Sequence, residues 1–204
     1  MPPDATNAAL AEAGRILLVL DLDETLIHAS ESELHRKADF SVYGYHVYRR
    51  PHLDAFISEC ACHFDLAIWS SASDPYVAAV VERIFPDPSM LQFVWGRSRA
   101  TLRRFSTPDD VYFHWPTDHR HFLKPLAKIS RRGRWRLERI LIVDDTPEKC
   151  VRNYGNAIYV HPFEGQDEDS ELPALALYLH SLRDHDNVRT FEKRRWRDTP
   201  GVAD

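Results

Sequence analysis

The sequence has no apolar run near the roughly 18 to 20 residues that cross a bilayer, so we expect no membrane-spanning segment. It also has no excess of positive charge. Its 204 residues carry a formal net charge of −5, which argues against a nucleic-acid-binding protein. The first residues include no basic start followed by an apolar stretch, so no signal peptide is expected. We therefore expect a soluble intracellular protein, cytoplasmic or, in a eukaryotic cell, nuclear.

Cysteine is also scarce. The three cysteines, Cys60, Cys62 and Cys150, are an odd number in a chain without an export signal, which argues against a disulfide framework. Cys60 and Cys62 with His63 resemble a metal motif, but their spacing is wrong for a paired-cysteine zinc site and no second pair follows. We interpret them as packing residues.

Neither repeats nor low-complexity segments interrupt the chain, and its length suits one domain. We predict a domain over residues 15–190, an N-terminal tail over 1–14 and a C-terminal tail over 191–204. Short apolar runs alternate with stretches of helical periodicity, which predicts an α/β fold with a mostly parallel central sheet flanked by helices. A turn at Gly44 predicts a small β-hairpin inserted after the first strand, and the spacing of the polar strand ends leaves no room for a large cap domain.

Polar side chains follow the predicted strands where each one ends. Asp21 and Asp23 follow "ILLVL", Ser70 follows "LAIW", and Asp144 and Asp145 follow "ILIV". Ligands of such sheets bind beyond the carboxyl ends of the strands, so these side chains are expected to converge at one edge. A turn or a helix cap would explain any one of them alone, but not the set.

Carboxylates gathered in this way repel one another unless a cation lies among them, and hard oxygen ligands suit Mg²⁺. A strand-end aspartate, Asp21, can attack a phosphoryl group, and Asp23 can donate and then accept a proton. Ser70 and Lys124, the best-placed lysine in the chain, can bind the transferring oxygens. Ser71 and Ser73 can share the role of Ser70, which can alternatively cap the next helix.

The segments "DLDETLIH", "RRPHLDAF", "IWSSASDPYV", "FLKPLAKI" and "ILIVDDTPEKCVRNYGNAIYVHPF" together resemble the FCP/SCP-type, or NLI-interacting-factor-like, phosphatases of the haloacid dehalogenase superfamily. The resemblance implies a Rossmann-like fold and Mg²⁺ as cofactor. It implies that Asp21 is the nucleophile and a metal ligand, that Asp23 is the acid/base with its backbone carbonyl on the metal, and that Asp144 and Asp145 complete the metal site. By the same resemblance, Ser70, Ser71 and Lys124 bind the phosphate. Thr25 orients the loop at the phosphate.

Relatives often have asparagine where this chain has Asp145, so either acid of the pair is a candidate for the direct metal ligand. The segment "RILIVDDTPEKCVRN" is also expected to continue from its strand into a helix.

The function that the resemblance implies is a phosphatase acting through an aspartyl-phosphate, and an uncapped site favours a phosphoserine or phosphothreonine protein as substrate. Aromatic residues within 40–48 and 112–122 are candidates for a peptide groove, and we interpret the histidines of "HWPTDHRH" as part of a substrate-facing loop. The alternatives are an inactive interaction module of the same fold and a phosphatase of small metabolites. The order of the motifs excludes a response-regulator receiver, in which the acidic pair comes first and the lysine last. The oligomeric state is not predicted.

Overall fold

The computed structural model describes residues 14–104 and 120–201. The histidines before residue 120 and most of the second aromatic stretch therefore lie outside the described residues. The strands are β1 (Leu17–Leu20), β2 (Ile27–Ser30), β3 (Phe40–Val42), β4 (Tyr45–Arg49), β5 (Asp65–Trp69), β6 (Leu91–Trp95), β7 (Thr101–Arg104), β8 (Arg120–Leu123), β9 (Ile140–Asp144) and β10 (Ala157–Tyr159). The α-helices are α1 (Leu53–His63), α2 (Asp74–Ile84), α3 (Ala127–Ser130) and α4 (Glu171–Leu182). Among these helices, none combines the length and the apolar character that crossing a membrane requires.

Five strands form a parallel sheet in the order β10-β9-β1-β5-β6, which confirms the predicted architecture. The central strand, β1, pairs with β5 on one side and β9 on the other. Leu20 at its end lies opposite Ile68 of β5 and Val143 of β9. The residues that follow these three strands therefore leave the sheet at the same edge.

Strand β1 is apolar throughout because both faces of the sheet are covered. Leu18 and Leu20 belong to the larger apolar cluster, which is formed with α1, α2 and α4. Leu17 and Val19 face the opposite way and pack in a second cluster, which includes Trp69. A strand buried on both faces has no polar alternation, and this is the pattern that the sequence shows.

The predicted hairpin is present after the first strand. Strands β3 and β4 are joined by Tyr43 and Gly44, both with positive φ (51° and 87°), the backbone that a tight two-residue hairpin turn requires. Strand β2 pairs with β4 and extends the hairpin to three antiparallel strands. The sequence did not indicate the second antiparallel pair, β7 with β8. In the described parts of the chain there is no larger insertion at the sheet edge.

One local prediction differs from the structure. The helix predicted after β9 is present only as a 3₁₀ helix, Pro147–Cys150. The Asn156 N–H then bonds the carbonyl of Asn153 and turns the chain into β10, so the segment ends before an α-helix can extend.

The predicted C-terminal tail lies against the domain as far as the structure describes it. Trp196 is buried, and its indole N–H donates to the carbonyl of Tyr159 at 2.9 Å. The ammonium of Lys193 donates to the carbonyls of Gly155 at 2.9 Å and Phe191 at 3.0 Å. These contacts dock residues 191–201 beside β10, and the domain boundary at residue 190 stays a prediction.

A buried arginine holds the loop after β1 in place. The Nε and Nη2 groups of Arg50 donate to the two carboxylate oxygens of Asp169, each at 2.9 Å. Its Nη1 group donates to the carbonyl of Thr25 at 3.0 Å, and Nη2 also donates to the carbonyl of His161 at 2.9 Å. The arginine thus connects the β1 loop with the segment that leads into α4.

Replacing this arginine should destabilise the fold strongly. We expect Arg50→Met to lower the free energy of unfolding by about 3 to 5 kcal/mol, because Asp169 loses its bidentate partner and two carbonyls lose a donor. Urea unfolding monitored by circular dichroism measures the change. Arg136→Met is the matched control, since Arg136 is exposed, and it should shift stability by no more than about 0.5 kcal/mol. Equal stability of the two variants would contradict the role given to Arg50.

Candidate active site

Asp21, the first residue after β1, is buried and has two lysine partners. Its backbone N–H bonds the carbonyl of Val143 at 3.0 Å, which continues the pairing with β9, and its Oδ1 accepts from the Leu22 N–H at 2.8 Å. Its Oδ2 lies 2.7 Å from the Lys124 Nζ and 3.0 Å from the Lys149 Nζ. Burial by itself would raise the pKa of Asp21, but the two ammonium groups outweigh it and lower the pKa to about 2. Asp21 is therefore ionised at neutral pH.

Asp23, two residues after Asp21 in the same loop, has different partners. Its Oδ1 accepts from the Tyr76 hydroxyl at 2.7 Å, and its Oδ2 accepts from the Ser70 hydroxyl at 3.3 Å. Burial raises its pKa; the Tyr76 hydrogen bond opposes that shift, and repulsion from Asp21 adds to it. Two carboxylates that are two residues apart thus have pKa values displaced in opposite directions. Such a pair suits one carboxylate for attack and the other for proton transfer.

The loop after Asp23 is unusually tight. The carbonyl of Leu22 accepts from the N–H groups of Thr25, Leu26 and Ile27, and Glu24 has a φ of 58°. Non-glycine residues in this conformation are strained and are found more often near functional sites. Burial, together with the charges of Asp23 and Asp145, raises the pKa of Glu24 to about 7.

Lys124 is fully buried and lies between two strand ends. Its Nζ is 2.7 Å from the Oδ2 of Asp144, as it is from Asp21. Its backbone is held by an N–H bond to the carbonyl of Lys149 and by the Asn153 side chain, which donates to its carbonyl at 2.9 Å. Burial lowers its pKa, but the two carboxylates raise it overall, so the ammonium form is retained. Burial and repulsion from Asp21 raise the pKa of Asp144 to about 6, although Lys124 partly offsets them.

Three carboxylates form a compact group at this edge. One oxygen from each of Asp21, Asp144 and Asp145 lies within 4.8 Å of the others. Thr146 orients the acidic pair: its N–H donates to Asp144 Oδ1 at 2.9 Å and its hydroxyl donates to Asp145 Oδ2 at 2.8 Å. An all-oxygen set of mostly buried carboxylates fits a hard divalent cation such as Mg²⁺. Asp23 is not part of this side-chain group, so its metal contact through the backbone carbonyl stays a prediction.

The structure brings together most of the residues singled out in the sequence, but not all. Asp21, Asp23, Ser70, Lys124, Asp144 and Asp145 share one edge of the sheet. The Thr25 hydroxyl is buried without a hydrogen-bond partner among the described residues, and Ser71 contacts Arg97 through its carbonyl. The phosphate-binding roles of these two residues stay predictions.

The sequence reasoning missed two residues of the site, Tyr76 and Lys149. Tyr76 lies in the first turn of α2, and nothing in its sequence context distinguished it from an ordinary core tyrosine. Lys149 follows Asp145 by four residues and contacts Asp21, Asp144 and Asp145. That spacing after an acidic pair was the available signal. Burial lowers the pKa of Lys149, but the three carboxylates outweigh it and raise the pKa above its ordinary value.

A second group of possible metal ligands lies on the surface, between α1 and α4. His63 Nε2 is 3.3 Å and His180 Nδ1 is 3.7 Å from Glu59 Oε1. Arg183 Nη1 also lies 3.2 Å from His180 Nδ1, and its positive charge opposes a bound cation.

Cys60 is buried and Cys62 is exposed, and both are free thiols, so these two cysteines form no disulfide with each other.

Removing the shared lysine should destabilise the protein through the acids it leaves behind. We expect Lys124→Met to lower the free energy of unfolding by about 3 to 5 kcal/mol at neutral pH in the absence of divalent cations, because Asp21 and Asp144 stay buried with one cation fewer. The double variant Lys124→Met/Asp144→Asn should recover part of this loss. Chemical denaturation measures both, with exposed Lys37 as the site of a matched Lys37→Met control. A double variant no more stable than the single one would contradict this account.

Comparison with known proteins finds one family over most of the chain. The family model described as NLI interacting factor-like phosphatase matches residues 16–189. Among curated proteins, human "Carboxy-terminal domain RNA polymerase II polypeptide A small phosphatase 1" is 28% identical over 190 residues, which cover 89% of this chain and 65% of that protein. The "CTD nuclear envelope phosphatase 1 homolog" of Drosophila melanogaster is 29% identical over 197 residues, covering 88% and 72%. Human "CTD small phosphatase-like protein" is matched over 61% of its length, so the chain spans less than two thirds of these human relatives.

Solved structures share the fold at lower identity. The structure of Fcp1, described as an essential RNA polymerase II CTD phosphatase, superposes with a TM-score of 0.53 at 17% identity and covers 90% of this chain and 54% of that one. An uncharacterized protein from Listeria monocytogenes superposes with a TM-score of 0.54 at 15% identity, covering 82% and 98%. At these identities the similarity supports the fold alone.

Proposed function

Because the chain belongs to the NLI interacting factor-like phosphatase family, we propose that it is a Mg²⁺-dependent phosphomonoester hydrolase that acts through an aspartyl-phosphate on phosphoserine or phosphothreonine in proteins. One observation carries the proposal. Asp21 is held ionised by two lysines, whereas the pKa of Asp23, two residues away, is raised. That difference is what a nucleophile and a neighbouring general acid require.

In the first step a carboxylate oxygen of Asp21 attacks phosphorus, and the bond to the substrate oxygen breaks. Asp23, protonated, transfers its proton to the departing oxygen and becomes a carboxylate. Tyr76 and Ser70 hold the Asp23 carboxyl by hydrogen bonds and so fix its orientation. Lys124, beside Asp21, is placed to stabilise the charge of the transferring oxygens. The product is the alcohol, and the phosphoryl group is on Asp21.

In the second step water attacks the phosphoryl group, and Asp23 accepts the water proton. The phosphorus–oxygen bond to Asp21 breaks, phosphate leaves and both carboxyl groups return to their initial states. The carboxylates of Asp21, Asp144 and Asp145 are the residues that would hold Mg²⁺, which when bound supplies charge stabilisation at the phosphoryl oxygens. The oxygens of Asp144 accept hydrogen bonds from Lys124 and Thr146, and those of Asp145 accept hydrogen bonds from Thr146 and Lys149. Either acid of the pair therefore stays a candidate for the direct ligand.

Replacing the nucleophile tests this chemistry. We expect the wild type to hydrolyse p-nitrophenyl phosphate when Mg²⁺ is present, and Asp21→Asn to lose about a thousandfold or more of that rate, because the amide cannot form the intermediate. The release of p-nitrophenol is the measurement. Asp186→Asn, at an exposed carboxylate, is the control and should keep the wild-type rate. Hydrolysis by Asp21→Asn at the wild-type rate would refute an aspartyl-phosphate, and no hydrolysis by the wild type would favour an inactive interaction module.

A cavity beside Asp23 supports a protein substrate. It has a volume of about 640 Å³, and its lining includes Asp23, Tyr43, Tyr45, Pro75, Tyr76 and Arg97. Tyr43 is 70% exposed and Tyr45 is 38% exposed, and the rings of Tyr45 and Tyr76 form a T-shaped pair with 6.2 Å between centroids. Exposed aromatic rings beside the acid/base suit the side chains that flank a phosphorylated residue. The two exposed tyrosines belong to the stretch 40–48, whose aromatic residues are candidates for a peptide groove.

The choice between a peptide and a metabolite is open to measurement. We expect phosphoserine and phosphothreonine peptides to be turned over with a higher kcat/KM than sugar phosphates. Tyr45→Ala should raise the KM for peptides several-fold and leave the hydrolysis of p-nitrophenyl phosphate unchanged, because only the peptide reaches the part of the cavity that Tyr45 lines. Tyr154→Ala, at an 86% exposed tyrosine outside this cavity, is the control. Efficient turnover of metabolites alone would instead make the protein a small-molecule phosphatase.

A further inference from the structure

Lys149 touches every carboxylate of the candidate cation group. It lies in the 3₁₀ helix that follows β9. Its Nζ is 3.0 Å from Asp21 Oδ2, 3.4 Å from Asp145 Oδ1 and 3.6 Å from Asp144 Oδ1. These are the same three residues whose oxygens lie within 4.8 Å of one another. The ammonium group therefore already occupies the side of the cluster where a divalent cation would find its ligands.

The two lysines of the site differ in how they are held. The Lys124 side chain is fully buried, its ammonium joins Asp21 to Asp144, and its carbonyl is bound by the Asn153 amide. The Lys149 side chain is 20% exposed and reaches the acids from the solvent side. A four-carbon stem with access to solvent can move its charge away without disturbing the backbone. Lys124 is a fixed part of the site, and Lys149 is a movable one.

The charges of the cluster favour only one cation in this position. Three carboxylates and two ammonium groups leave one negative charge. Replacing the Lys149 ammonium by a divalent ion leaves the three carboxylates and Lys124 balanced. A divalent ion added beside Lys149 would instead face a like charge at short range within a partly buried site, where repulsion is strong.

We propose that Lys149 is a tethered counter-ion, which holds Asp21, Asp144 and Asp145 together before metal binds and which the divalent cation must displace. The proposal rests on the metal site of the proposed function. It follows that this chain binds Mg²⁺ more weakly than it would without Lys149, and that its acidic cluster stays stable in the absence of metal. Lys149 is thus a residue that sets metal affinity.

Metal binding without substrate tests the proposal. We would titrate the 204-residue chain with Mn²⁺, following free Mn²⁺ by electron paramagnetic resonance, and confirm the order of affinities by competition with Mg²⁺. Lys149→Met should bind Mn²⁺ more tightly than the wild type, by about tenfold or more, because the competing ammonium charge is gone. Lys149→Arg, which keeps the charge, should stay near the wild-type affinity. Lys37→Met, the same charge change at an exposed residue outside the cluster, should also leave the affinity unchanged.

Thermal unfolding supplies a second readout. In EDTA, Lys149→Met should melt at a lower temperature than the wild type, and the rise in Tm on adding saturating Mg²⁺ should be larger for the variant. Lys149→Gln, whose amide still donates to the carboxylates, replaces the methionine variant if that one does not fold without metal. An affinity of both neutral variants equal to or weaker than that of the wild type would overturn the proposal.

The outcomes separate this proposal from the proposed function. Tighter Mn²⁺ binding by Lys149→Met in a protein that hydrolyses no phosphoester would refute the enzyme and keep the counter-ion. An active, Mg²⁺-dependent enzyme with an unchanged affinity in the variant would refute the counter-ion alone. Absence of Mn²⁺ binding by wild type and variant would refute both the metal site and the role of Lys149.

Discussion

A single ammonium group, that of Lys124, lies 2.7 Å from the carboxylates of both Asp21 and Asp144 and makes their burial together possible. Burying like charges side by side is strongly unfavourable unless an opposite charge is present. The Lys124 ammonium offsets the repulsion between the carboxylates in the interior of the site, and the Lys149 ammonium offsets it on the solvent side. The result is an edge where anionic oxygens are concentrated but not completely neutralised, which is the environment that a divalent cation requires.

The parallel sheet supplies the positions on which this charge arrangement depends. Because β1 pairs in register with β5 and β9, the residues after all three strands emerge together. Beyond the edge, the loop after β1 bends back through Glu24, which has a positive φ, and Arg50 donates to the Thr25 carbonyl. Arg50 in turn depends on Asp169, just before α4. Residues far apart in the chain thus hold one short loop, and that loop orients Asp23 towards Tyr76.

The fold and the convergence of the acids could be predicted because both follow from local patterns. Apolar runs such as "ILLVL" leave few choices other than doubly buried parallel strands, and the carboxyl ends of such strands meet at one edge. The 3₁₀ helix at Pro147–Cys150 was not predicted, because apolar spacing does not show where a turn ends a helix. Tyr76 could not be assigned to the site for a related reason: a tyrosine in a helical turn has the same local signature whether it contacts an acid or solvent. For Lys149 the only local signal was its spacing of four residues from Asp145.

The order of the strands and motifs along the chain already specifies which acids, hydroxyl and lysine share an edge and which chemistry they allow. The partners of these groups follow from packing: Asp21 has two lysines and Asp23 a tyrosine, and their pKa values are displaced in opposite directions. Packing also decides that Thr25 and Arg50 meet through a backbone carbonyl, and that Lys149 reaches the cation group. The physical reason is that electrostatic energy depends on distances of a few ångströms between residues distant in the chain, and those distances exist only once the elements have packed.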